Sequence, residues 1–186
     1  MADAVAALIV AYRAAKLDRS AESHEKCEIV RELEGHLGQA KVLAFYLDLI
    51  ADPDEYDMAR LEVLKVFQLW EPPSDRVRTR VGRRLAEALL VEPDVLVQQW
   101  MAIAAENFVR VTAVFAAVSS LLADREADLD VRHNCLAAVQ SLGPSVKALG
   151  VLDRLTADQK LGVHARRILT EWGRSADPGA AADGRA

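Results

Sequence analysis

Aromatic residues make up only 5% of this 186-residue chain, and it holds just two cysteines, Cys27 and Cys135. Two thiols cannot build the dense disulfide framework of a small secreted domain, so a reducing compartment is the simpler expectation. An excess of positive charge is also missing: 23 Lys and Arg stand against 28 Asp and Glu, a formal net charge of −5. That excludes a surface that is basic all over, as many nucleic-acid binders have. The apolar run at residues 4–12 is far shorter than the roughly 18 residues that cross a bilayer. Asp3 precedes it where a secretory leader is basic, and Arg13 and Lys16 follow where a cleavage site needs small residues. An amphipathic first helix over 2–17, no membrane partner and a cytoplasmic location are therefore expected.

What the chain does have is apolar and charged side chains in quantity, 52% and 27%. That excludes general disorder and predicts one domain with a sizeable core over residues 1–173. Residues 174–186, rich in Ala, Gly and Asp, read as a disordered tail. No stretch shows the two-residue alternation a sheet needs, so an all-α chain is predicted.

Several segments share one pattern, an acidic turn followed by a helix with apolar spacing near 3.6. They start at Met58, Val97, Val131 and Val163, at spacings of 39, 34 and 32 residues, with a weaker copy near Ser23. Second helices are predicted between them at about 38–50, 75–91, 109–122 and 144–156. Asp54, Asp57, Asp94, Asp128, Asp130 and Asp158 precede or open the first helices, where a carboxylate satisfies free N–H groups and the positive dipole end. Pro72-Pro73 and Gly143-Pro144 break one helix and start the next.

The unit at Asp130-Val131-Arg132, followed by Leu136, Ala137, Ala138 and Val139 and then Leu142-Gly143-Pro144, resembles HEAT or armadillo-type helical repeats. The resemblance covers about 21–173 and is at family level. It implies an α-solenoid of stacked helical hairpins, about four and a half repeats plus an N-terminal helix, whose second helices line a concave side. Met58-Ala59, Val97-Gln98 and Val163-His164 depart from the pattern and lack the arginine of that slot.

Helical geometry then shows which side chains the second helices leave exposed. Helix 38–50 is apolar around most of its circumference and leaves Lys41, Ala44 and Asp48 on a narrow stripe. Helix 109–122 leaves Thr112, Ala116 and Ser119, and helix 144–156 leaves Lys147, Gly150 and Arg154. Helix 75–91 differs. Opposite Val77, Val81, Leu85, Ala88 and Leu89 it gathers Arg76, Arg80, Arg83, Arg84 and Glu87 on one face. Four guanidiniums on one face repel each other, and each offers a fork suited to carboxylate or phosphate. The face is either a solvated one or a site for an acidic partner. These stripes sum to +5, which leaves −10 for the rest of the chain, much of it in the acidic turns. A basic hollow in an acidic exterior is expected, although helix capping accounts for several of the acids.

Signals for chemistry are sparse. His24, His36, His133 and His164 are scattered and lack the spacing of a zinc site, and no metal or cofactor is expected. Cys27 and Cys135 fit as small buried thiols. No phosphate-binding Gly-rich loop, nucleophile elbow or Cys-x-x-Cys motif is present, so no catalytic residue is assigned. Trp70, Trp100 and Trp172 read as core or ridge residues at comparable depths of the first helices. His164 with Arg166 and Arg167 offers a second, smaller anion patch.

Three roles remain. The first is a non-enzymatic binding module, an adaptor or immunity-type inhibitor, that takes an acidic protein in the basic hollow. The second is nucleic-acid binding or repair, because the resemblance extends to HEAT-like alkylpurine DNA glycosylases, although their Trp–Asp–Arg grouping is not evident on the second helices. The third is a chromophore-lyase-like or assembly role. Terminal helices, 2–17 among them, either cap the stack or pair with another copy.

Overall fold

The computed structural model describes residues 2–15 and 24–173. Among them ten helices form and no strand does. One row consists of α2 (Glu25–Glu34), α4 (Asp57–Leu69), α6 (Val95–Phe108) and α8 (Leu129–Gln140), each packed on the next. The other row consists of α3 (Ala40–Ala51), α5 (Asp75–Val91) and α7 (Thr112–Ala123). At one end α1 (Ala2–Ala14) packs on α2, and at the other α9 (Val146–Leu155) packs on α8 and α10 (Gly162–Glu171). The protein is thus all-α, with helix packing of the kind that bundles and solenoids share. No helix among the described residues is long and apolar enough to cross a membrane. The predicted tail at 174–186, the end of the predicted first helix and the marker at Ser23 lie outside the described residues.

The predicted second helices correspond to α3, α5, α7 and α9 within a few residues. The predicted caps differ more. Ser74, Asp94, Asp128 and Ser145 cap α5, α6, α8 and α9 through their side chains. Asp54 does not cap α4; its N–H donates to Asp52 instead, and Tyr56 holds the cap position without a side-chain bond.

The core runs between the rows. Val30, Leu33, Ile50, Leu64, Phe67, Leu85, Leu89, Met101 and Phe108 are fully buried. The few aromatic rings form a chain through it, from Tyr12 to Phe45 (5.0 Å), Tyr46 (6.3 Å), Phe67 (6.1 Å) and Phe108 (6.2 Å). Edge contacts of this kind add to the area they bury. Gly82 lets α5 and α7 approach closely, since a Cβ there would lie 2.9 Å from a Val111 methyl and 3.1 Å from a Val114 methyl.

A second feature recurs along the stack. Arg60 donates to the Ile50 carbonyl (3.2 Å), Gln98 to that of Leu89 (3.1 Å), Arg132 to that of Leu122 (3.0 Å) and Arg166 to that of Thr156. Each donor sits near the start of one helix and satisfies a free carbonyl at the end of the helix before it. The donors lie 38, 34 and 34 residues apart. The true register therefore pairs Ala59-Arg60, Val97-Gln98, Val131-Arg132 and Ala165-Arg166, with all four preceding residues fully buried. The starts chosen at Met58 and Val163 were out of phase, by one and two residues. The tight pairs are correspondingly α3–α4, α5–α6, α7–α8 and α9–α10, with the acidic turn at each tip.

Those turns also connect to the unit before. Lys26 pairs with Glu55 (2.6 Å), Arg60 with Glu92, Gln99 with Asp128 (3.2 Å) and Arg132 with Asp158 (2.6 Å). The Arg60 and Glu92 side chains are 1% and 2% exposed, so both charges have left water. Two hydrogen bonds between them, the Ile50 carbonyl and the Asp94 N–H offset that cost. Removing one member of a buried pair costs about 3–5 kcal/mol, whereas replacing both by apolar groups is often near neutral. Glu92→Leu should therefore lower stability by about 3–5 kcal/mol, and Arg60→Met with Glu92→Leu by much less than the two single changes combined. Urea unfolding of the three variants measures this; an additive double variant would refute it.

Asp158 makes a separate prediction. Burial alone would raise its pKa, but the Leu161 N–H, the Arg132 guanidinium and the Lys160 N–H outweigh burial and bring it down from 3.8 to about 2. Glu55 and Glu62 are likewise held below the carboxylate range by cations and N–H groups despite burial. A carboxyl that ionises more readily when folded stabilises the fold fully above its unfolded pKa. That contribution disappears as pH falls from about 4 towards 2. Asp158→Asn should cost on the order of 1–2 kcal/mol at pH 7, allowing for solvent screening, and progressively less on acidification. Thermal unfolding at pH 7 and pH 3 distinguishes this from a penalty that does not change with pH.

Candidate functional site

The predicted site centres on α5. Ser74 accepts a hydrogen bond from the Val77 N–H (3.3 Å) and starts the helix, and Val81, Leu85, Ala86, Ala88 and Leu89 bury one face. With that face held by α3, α6 and α7, the opposite face must be exposed. Arg76, Arg80, Arg83, Arg84 and Glu87 are all exposed there, as the spacing predicts. Together with Ala44, Leu47 and Asp48 of α3, and with Asp75 and Thr79, they line a groove of about 660 Å³.

Among the described residues, one of the four guanidiniums meets a carboxylate. Arg84 lies 3.6 Å from Glu87, with both side chains largely in water (44% and 68% exposed). Arg76, Arg80 and Arg83 make no ion pair among the described residues. The fifth arginine of α5, Arg78, turns to the other side and donates to the Asn107 carbonyl (2.8 Å) and to Glu71 (2.6 Å). Asn107 in turn donates to the Phe67 and Trp70 carbonyls (2.9 and 2.6 Å), which fixes the end of α4 against the end of α6. Helical spacing had left Arg78 off the basic face without showing what it holds.

The remaining predicted site residues do not converge on this groove. Lys41 lies on α3 but does not line it. Lys147 borders a separate pocket with Arg110, Thr112 and Phe115, and Arg154 borders a third with Ser119, Arg125 and Asp158. The predicted residues therefore border three separate pockets, with Lys41 in none of them. The groove itself sets four guanidiniums against the carboxylates of Asp48, Asp75 and Glu87. Asp75 was missed because it opens α5 and reads as a first-turn acid.

The other candidates resolve differently. His133 and His164 come together edge to face at 5.1 Å. No group of three or more His, Cys, Asp or Glu able to hold a metal occurs among the described residues. Arg166 is taken by the Thr156 carbonyl and Arg167 pairs with Glu171 (3.5 Å), so the second anion patch is largely committed. Trp70 and Trp172 sit just past the ends of α4 and α10, whereas Trp100 lies inside α6 with Lys65 over its ring at 5.6 Å. The three are thus at different depths, though all pack against the core.

Cys27 and Cys135 are buried and free. Burial raises both thiols, that of Cys135 up to about 12. Thiolate is the reactive form. Alkylation of Cys135 by iodoacetamide at pH 8 should therefore be slow in the folded protein and rapid in urea, as peptide mass mapping would show. Rapid labelling of the native chain would contradict the burial. Comparison with family models, curated proteins and solved structures finds no match to this chain.

Proposed function

We propose that the chain is a non-enzymatic binding module, of adaptor or immunity-inhibitor type, that takes an acidic protein partner on the exposed face of α5. The observation carrying this reading is the set Arg76, Arg80 and Arg83, three exposed guanidiniums beside a groove and without an ion pair among the described residues. Like charges at i, i+3 and i+4 destabilise a helix slightly. An incoming carboxylate relieves that repulsion and gains the forked geometry of arginine. Asp48, Asp75 and Glu87 restrict where such carboxylates can sit, and so favour a partner with a matching pattern over any polyanion.

Two-row packing with a donor recurring every 34–38 residues supports the finer reading of a HEAT-like solenoid of about four and a half units. In such a stack, α3, α5, α7 and α9 line the concave side, and α5 lies near its middle. Nucleic acid is the weaker reading, because three carboxylates interrupt the basic face and no second-row helix carries a tryptophan.

Exposed ion pairs contribute about 0.2–1 kcal/mol each, so the arginines govern capture rate and salt dependence as much as affinity. The test is the partner retained from native lysate at physiological salt, identified and then titrated against the purified chain. Arg80→Glu with Arg84→Glu should weaken that complex about tenfold or more. Unchanged affinity would remove α5 from the interface. A DNA mobility shift at about 50 mM salt that the same variant abolishes would instead favour nucleic acid.

A further inference from the structure

Ten large apolar side chains are exposed among the described residues, and seven of them lie at the turns α3–α4, α5–α6, α7–α8 and α9–α10. Successive turns are adjacent in space, because Lys26–Glu55, Arg60–Glu92, Gln99–Asp128 and Arg132–Asp158 each link one helix start to the next turn. They form one rim, which adjoins the α5 groove where Leu90 and Val91 follow Arg83, Arg84 and Glu87 along the helix. At its middle, around the α5–α6 turn, Leu90 (50% exposed), Val91 (79%), Val95 (46%) and Leu96 (50%) concentrate the apolar surface. Nothing in the core explains leaving four such side chains in water, and concentrated apolar surface of this kind marks interaction sites.

Along the rim the charge on both sides of this patch is acidic, while Arg83 and Arg84 stand about two turns away along α5. Its own acids are committed, Glu92 to Arg60 and Asp94 to the cap of α6. The turn on one side exposes Asp52, Asp54 and Asp57, and the turn on the other exposes Asp124, Glu126, Asp128 and Asp130 against a single Arg125. We infer that this rim is a second interaction surface, which takes a basic amphipathic helix of a partner protein. The apolar stripe of that helix would lie on Leu90, Val91, Val95 and Leu96, with its Lys or Arg side chains on the two acidic turns.

Size and charge both select this occupant. Neighbouring helices in a row lie about 8–10 Å apart, so acidic turns flank the apolar one at about that distance on each side. A helix with its side chains is about 10–12 Å across, and one apolar stripe bordered by cations matches acid, apolar and acid in turn. Anionic lipid and nucleic acid are repelled by the same carboxylates.

The probe is a fluorescent model helix of Lys and Leu in amphipathic order, titrated by anisotropy against the full chain. Its controls are a scrambled peptide of the same composition and a Glu/Leu counterpart. The native chain should bind the amphipathic Lys/Leu helix and neither control. Val91→Ser with Leu96→Ser should weaken binding about tenfold or more, and Asp54→Lys with Glu126→Lys should do likewise, most strongly at low salt. These four residues are exposed, so circular dichroism should show native helicity. Arg76→Glu with Arg80→Glu, about three helical turns or more from Val91, should bind the probe as the native chain does, which separates this surface from the basic start of α5. Rim variants that bind as tightly as the native chain, or a scrambled peptide that binds equally, would overturn the inference. So would a native dimer in light scattering that Val91→Ser with Leu96→Ser converts to monomer, since a second copy would then cover the patch.

Discussion

A helix end packed in a stack leaves carbonyls without helical partners, and this chain satisfies them with side chains from the next helix. Arg60, Gln98, Arg132 and Arg166 each reach back to a carbonyl at the end of the preceding helix. The same arginines at 60 and 132 reach forward to a carboxylate in the following turn. One side chain thus joins three consecutive elements, which apolar contact alone does not orient, because hydrophobic burial is non-directional. Arg60 and Arg132 are each 1% exposed, and such ions are tolerable only while every partner stays in place. The stack is therefore held in register by a few directional bonds and held together by the core between the rows.

That register decides what α5 can display. The helix is gripped on its buried side by α3, α6 and α7, and Gly82 brings it close enough to α7 that a methyl group would collide. It has no freedom to rotate, so Arg76, Arg80, Arg83 and Arg84 face away from the core whatever their mutual repulsion. Arg78, only two residues from Arg76 and from Arg80, spends its charge inside the molecule on Asn107 and Glu71. Neighbouring arginines of one helix thus have different roles, set by an angle of 100° per residue and by the helices beside them.

Helix identity and the outward face of α5 were legible in the sequence because both follow from apolar spacing within a single helix. Unit phase was not. Apolar spacing tolerates a slip of one or two residues when Met58 and Val163 also look apolar, yet both are exposed, at 43% and 66%. The signal that fixes the phase was present in the recurrence of a long donor at Arg60, Gln98, Arg132 and Arg166, but these differ in type and read as surface residues until their carbonyl partners are seen. The spread of the expected basic residues was not legible either. Summing charge over four helices ignores how far apart they stand, and Lys147 and Arg154 border pockets of their own.

The acidic residues bear on the same point. Read from sequence, they were a featureless counterweight to the arginines; in the structure they fall into two populations. Glu55, Glu92 and Asp158 are paired with cations of the stack and hold the turns in place. Asp52, Asp54, Asp57, Asp124, Glu126, Asp128 and Asp130 remain exposed at the same turns, Asp128 while accepting from the Gln99 amide. Only the second population projects a field that an approaching molecule meets, and it does so along the rim rather than evenly over the exterior. Screening limits such a field to about 8 Å at physiological salt, less than the reach of the whole stack. The acids of the rim and the basic start of α5 therefore act on their surroundings separately, although Glu87 and Val91 adjoin on the helix, and a net charge of −5 describes neither.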